Sequence, residues 1–155
     1  MRYTRIIKEP TPKLNSSGSA YILIPSNGMY YGKAYTHSGK ATANVIYSAF
    51  YKHFNRVEIA PSGEKFEEGL QKAKSTGFAY LINSKLSHWA DHATEWSGAR
   101  DRIDMNLDIF EVSSGRLLDS VNFIGNGPWL TFGGYHPEHI VAKSIDEYIA
   151  KLFGQ

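Results

Sequence analysis

The chain of 155 residues contains no cysteine, which excludes disulfides, thiolate metal sites and a cysteine nucleophile. It has no long apolar run, so no segment is predicted to span a bilayer as a helix. It has no block of one charge. Lys and Arg number 17 against 15 Asp and Glu, a formal +2, too small and too scattered to steer nucleic acid. The first stretch, MRYTRIIKEPTPKLNSSGS, lacks the apolar centre of a signal peptide. What is present is ordinary for a folded domain: 42% hydrophobic and 21% charged residues in a length that fits one core.

Complete catalytic motifs are missing as well. A phosphate loop needs glycine five positions before its second glycine and Ser or Thr directly after the lysine. Around Gly39-Lys40 those positions hold Ala34 and Ala41; only anion binding at a helix N-terminus stays open there. Ser87-His88 and Ser97 near Glu95 supply residue types for acyl transfer without a G-x-S-x-G elbow. His88, Asp91, His92 and Glu95 stand at H-x-x-D-H-x-x-E, a spacing that would align metal ligands on a helix. The segment follows a strand and is interrupted by Trp89 and Trp96, so a polar loop network is the simpler expectation, with no metal and no cofactor. The Asp91/Glu95 pair has the residue types for glycoside hydrolysis, with nothing to fix its separation. Arg100-Asp101-Arg102 is expected to brace its loop.

Periodicity predicts the order β-α-β-α-β-β-β-α. Pro10, Pro12, Ser16, Ser17, Gly18 and Ser19 make residues 1–19 read as a tether, followed by a single α/β domain over 20–155. Tyr21–Ile24 is a buried strand. Lys40–Phe54 is a helix with Ala41, Val45, Ile46, Ala49, Phe50 and Phe54 on one face and Ser38 as cap. Arg56–Ile59 is a short strand. A second helix carries Phe66, Leu70 and Ala73, with Ser62 as cap and Gly77 as stop. Phe78–Ile82 is a central strand. Ile103, Met105, Leu107 and Ile109 alternate with Asp104, Asn106 and Asp108, so one face of that strand is buried and the other is wet or lightly covered. Ser113–Gly115 turns the chain into Arg116–Ile124, and Pro137 opens a last helix with Val141, Ile145, Tyr148, Ile149 and Leu152 as its stripe.

The expected architecture is one mixed sheet with packed helices. With the first, third and fifth of these strands parallel, loops 25–39, 88–102 and 125–136 leave from one edge, where α/β domains place binding sites. Those loops hold every tryptophan and most of the histidines. The candidate binding residues, for a partner or a ligand, are Tyr31, Tyr35, His88, Trp89, Asp91, Glu95, Trp96, Arg100, Trp129, Phe132, Tyr135 and His136. A satellite core pinning the loops is the competing explanation.

The string LSHWADHATEWSG (Leu86–Gly98), then DRI at Asp101–Ile103, resembles the central motif of a family of bacterial cell-envelope lipoproteins of unknown function. YYGKAY at Tyr30–Tyr35, SGKATA at Ser38–Ala43, SSGRLLDS at Ser113–Ser120 and TFGGYHPEHI at Thr131–Ile140 fit in order. The resemblance runs from Tyr21 to Phe153. In that pattern an acid often precedes the His-Pro pair, where this chain has Tyr135. The resemblance implies an exported, periplasm-facing protein anchored to the outer membrane through an N-terminal lipid. The element order is also similar to the N-terminal domain of TolB and to CsgG-like domains. The expected function is therefore a non-catalytic, protein-binding or structural component of a cell-envelope assembly, such as a secretion or transport complex. Its expected partners are other envelope proteins in a large oligomeric complex, with no nucleic acid. The alternative is a small-ligand or glycan-binding domain, or a hydrolase, using the aromatic and carboxylate loops.

Overall fold

The alternation over 103–109 becomes a long strand, and the chain is arranged around it. A computed structural model describes residues 2–27, 29–30, 33–34, 38–90, 101–127 and 137–155. The elements are β1 (Arg2–Arg5), β2 (Ser19–Ile22), β3 (Met29–Tyr30), β4 (Lys33–Ala34), α1 (Ser38–Tyr51), β5 (Arg56–Ile59), α2 (Phe66–Ser75), β6 (Tyr80–Ala90), β7 (Asp101–Glu111), β8 (Arg116–Gly127) and α3 (Pro137–Leu152). Six strands form one mixed sheet in the order β1-β8-β7-β6-β2-β5, and β3 and β4 pair as a small hairpin beside β6.

Met105, Leu107 and Ile109 point to the face covered by α1 and α3, where they meet Ile22, Ile82, Phe123, Ile145, Tyr148 and Ile149 in the main core. Each such side chain contributes about 1.5–3 kcal/mol through burial. The other face is covered differently. α2 packs there on β6, closing a smaller cluster of Tyr21, Leu23, Ala73, Phe78 and Leu81. Glu67 and Glu68 lie in its first turn and Lys72 and Lys74 in its last, which suits the helix dipole.

Three local expectations need correction. Residues Arg2–Arg5, within the stretch read as a tether, form an edge strand antiparallel to β8. Farther along it, Leu14 is buried and its amide donates to the Leu152 carbonyl. Four residues are too few to show a period. The driving contact is with Asp119, 114 residues from Arg5. Ser62 does not cap α2: Lys65 occupies that position, with no side-chain hydrogen bond, after a turn in which Gly63 has φ +84°. The long strands also extend farther than expected, so His88–Ala90, Asp101–Arg102 and Gly125–Gly127 belong to the ladder rather than to loops. Backbone pairing carries them past the point where apolar alternation fades.

Asp119 is buried completely. Arg5 Nη2 donates to its Oδ1 at 2.8 Å, Arg5 Nε to Oδ2 at 3.0 Å, and Tyr148 Oη to Oδ2 at 2.7 Å. Tyr3, Phe123 and Tyr148 pack ring to ring beside it, with centroids 5.6–5.8 Å apart. Burial, and then the bond to Asp119, push the Tyr148 hydroxyl far above the ordinary tyrosine range; burial and Glu64 do the same for Tyr21. The folded chain thus keeps both protons where the unfolded chain releases them, near pH 10. Stability should be intact below about pH 10 and fall as pH rises beyond it. A urea series is expected to show a constant midpoint that drops from about pH 10 upward, with a smaller drop in Tyr148→Phe. A midpoint that stays level at alkaline pH would refute this linkage.

Candidate functional site

Strand direction decides which parts of the chain can meet. β2 is parallel to β5 and β6, β7 is antiparallel to β6, and β8 is antiparallel to β7. The C-terminal ends of β2, β6 and β8 therefore share one edge of the sheet with the start of β7, as expected from the sequence. The last paired positions are Ala90↔Arg102 and Asp101↔Gly127, so the segments 91–100 and 128–136 attach at that edge.

A crevice of about 450 Å³ opens at the same edge, lined by Ile24, Pro25, Ser26, Asn27, Lys40, Ser62 and Gly63. It lies where the connection after β2 goes to α1 on one face and the connection after β5 goes to α2 on the other, a point at which doubly wound sheets form clefts. Its wall depends on one close approach. A Cβ at Gly39 would lie 2.1 Å from the Pro25 carbonyl oxygen, so only glycine lets the first turn of α1 settle against that loop. Asn27 Oδ1 accepts the Gly39 amide at 2.9 Å. Ser38, expected to cap the helix from outside, is instead its first residue. Replacing Asn27 by Ala should cost about 1 kcal/mol, the usual loss for a helix cap. Thermal unfolding checks this, and an unchanged melting temperature would show the bond to be dispensable.

The second feature is the half of that sheet face which, among the described residues, lies beyond α2. Cross-strand partners share a face, which puts Asn83, Asp108 and Ser120 in one row and Lys85, Asn106, Asn122 and Thr4 in the next. Three side-chain hydrogen bonds link Asn106 and Ser120 to Asp108 and Asn122 to Asp104. Ser120 Oγ donates to Asp108 Oδ1 at 2.5 Å, Asn106 Nδ2 to the same oxygen at 2.8 Å, and Asn122 Nδ2 to Asp104 Oδ1 at 3.1 Å. Ile6, whose amide donates to the Ser120 carbonyl, continues the first row at 55% exposure, and Leu117, opposite Phe110, is 39% exposed. The signal for this surface was the run Asp104, Asn106, Asp108, unusual in a strand. The exposed apolar pair carried no such signal.

The backbones of His88 and Trp89 lie in β6, opposite Asp104 and Ile103. Extended backbone at His88–Ala90 means that H-x-x-D-H-x-x-E does not form one helical face. Tyr31, Tyr35, Asp91, Glu95, Trp96, Arg100, Trp129, Phe132, Tyr135 and His136 lie outside the described residues, as do the side chains of His88 and Trp89. Among the described residues, no three of His, Asp and Glu group as metal ligands, and no helix is long and apolar enough to cross a membrane.

A family described as a domain of unknown function (DUF4823) matches residues 12–152. No curated protein matches the chain in sequence. Solved structures match the fold nearly end to end. PelC from Paraburkholderia phytofirmans, described as a dodecamer, is 14% identical with TM-score 0.73, covering 97% of this chain and 96% of its own. The lipoprotein GNA1162 from Neisseria meningitidis is 7% identical with TM-score 0.53 over 89% and 99%. XCC0632 from Xanthomonas campestris, of family DUF330, is 13% identical with TM-score 0.53 over 93% and 85%. At these identities the likeness is one of fold.

Proposed function

The chain belongs to the DUF4823 family, and from that membership and its fold we propose that it is a non-catalytic component of a cell-envelope assembly, built from several of its own copies together with other envelope proteins. The observation that carries this reading is the end-to-end likeness to PelC, a dodecamer. The likeness to a named lipoprotein supports the envelope, with an N-terminal lipid holding the protein to the outer membrane on its periplasmic side. The segments bearing Trp96 and Trp129 leave from the shared strand edge and are proposed to contact the other envelope proteins, since tryptophan, tyrosine and arginine dominate interface energetics.

Cross-linking in intact cells, with the protein expressed from its own gene, tests the reading. A ladder at multiples of the subunit mass in the outer-membrane fraction is expected. A single band in the cytosolic fraction would contradict it. The crevice beside Asn27 and Lys40 favours a second reading, a small polar ligand. Melting-temperature shifts with cell-wall fragments, lost in Lys40→Ala, would support that alternative, and no shift with any fragment would remove it.

A further inference from the structure

Resting on the reading of a self-assembling component, we infer that β1 is exchanged between copies. The strand Arg2–Arg5 of one chain fills the β8 edge of its neighbour, with residues 6–13 as the crossing arm.

The edge of β8 is a socket for one particular strand. Tyr3 packs on Phe123 and Tyr148, and its hydroxyl accepts from Lys151 Nζ at 2.7 Å, while Arg5 meets the buried Asp119. An emptied socket would leave Asp119 without its counter-charge, a costly state for a buried carboxylate. It would also bare the unpaired main chain of an edge strand. Some strand must therefore occupy it, and every copy carries the one that fits. These contacts run from β1 to β8 and α3 alone, so a neighbour's β1 satisfies them as fully as the chain's own. The other Arg5 donors reach the Glu9 and Pro10 carbonyls, within the arm itself, and travel with the strand.

The arm is loosely held to its own domain. Ile6 donates its amide to the Ser120 carbonyl and Leu14 donates to Leu152; between them, among the described residues, no main-chain hydrogen bond ties residues 7–13 to the body. Lys8, Glu9, Pro10 and Thr11 are exposed, and Pro10 and Pro12 favour an extended path over a compact return. At about 3.1 Å per residue, residues 6–13 reach about 25 Å, enough to pass from Leu14 to the β8 edge of a copy in contact. Moving a terminal element of this kind needs only a hinge. Within an assembly the neighbour's strand is held at a local concentration comparable with the chain's own.

The chain lacks cysteine, so a designed pair reports which copy supplies the strand. Thr4 and Asn122 are cross-strand partners, at a Cα separation that a disulfide spans. Thr4→Cys and Asn122→Cys chains are co-expressed, purified under reducing conditions and then oxidised. Circular dichroism confirms the fold, and peptide mass mapping identifies the 4–122 bond. Exchange predicts a band at twice the subunit mass that contains this bond, and covalent multimers from a chain carrying both substitutions. Arg2→Cys with Ile124→Cys, another paired position, serves if the first pair does not fold. Failure to find the bond between chains, in a sample that light scattering shows to be oligomeric, overturns the exchange and leaves the assembly standing. A sample that is monomeric before oxidation overturns the self-assembly reading and the exchange with it.

Discussion

Replacing Arg5 by Ala is expected to destabilise the chain by about 3 kcal/mol, a large effect for one change near the N-terminus. The reason is the asymmetry of a buried ion pair. Asp119 has no solvent contact, while Arg5 keeps 20% of its side chain exposed. Without the guanidinium, a buried carboxylate keeps Tyr148 as its one remaining side-chain donor among the described residues. The Arg5 charge is itself favoured by this pairing, since its hydrogen bond to Asp119 raises its pKa above the ordinary arginine value. Urea denaturation should show the loss, and hydrogen exchange should show faster exchange in β1 and in the stretch Val121–Ile124 that pairs with it. Arg5→Ala combined with Asp119→Asn should cost less than the two single changes added together, because no charge is then left buried. A loss under about 0.5 kcal/mol for Arg5→Ala would mean that the cluster contributes little.

Gly39→Ala sets two effects against each other. Alanine is about 1 kcal/mol better than glycine within a helix, so an uncrowded position would be stabilised. Here the added carbon meets the Pro25 carbonyl oxygen at 2.1 Å. That neighbour is backbone and cannot swing aside, so the first turn of α1 must move away from the crevice. Overpacking of this kind costs about 1–3 kcal/mol, and the expected net loss is about 2 kcal/mol. Gly63→Ala provides a contrast: nothing crowds that position, but φ is +84°, and the cost should be about 1 kcal/mol from backbone strain alone. A Gly39→Ala chain that melts higher than the original would show that the loop yields.

The elements that could be read from sequence were those whose own period matched their burial. The stripe Ile145, Tyr148, Ile149, Leu152 and the alternation from Met105 to Ile109 each became the face of the main core. Strand direction followed from the helical crossovers, so the convergence of β2, β6 and β8 at one edge was legible too. Interactions between distant residues left no local trace. Nothing around Asp119 in LLDS announces a buried carboxylate; the register shift between Ile109 and Phe110 brings Asp119 opposite Ile109, on the face toward α3. Asn27 was likewise invisible as a cap, because it reaches Gly39 from twelve residues away. For the candidate site, the alternating acids and amides of β7 gave the wet face, while its role needed the three-strand lattice with Asn122 and Ser120. The aromatic residues Trp96 and Trp129 fall outside the described residues.

Static light scattering on the purified full chain, at micromolar concentration and moderate salt, addresses the central claim without any variant. A mass several times 17.4 kDa is the outcome expected of a component built from several of its own copies. A mass of one subunit at every concentration would contradict it.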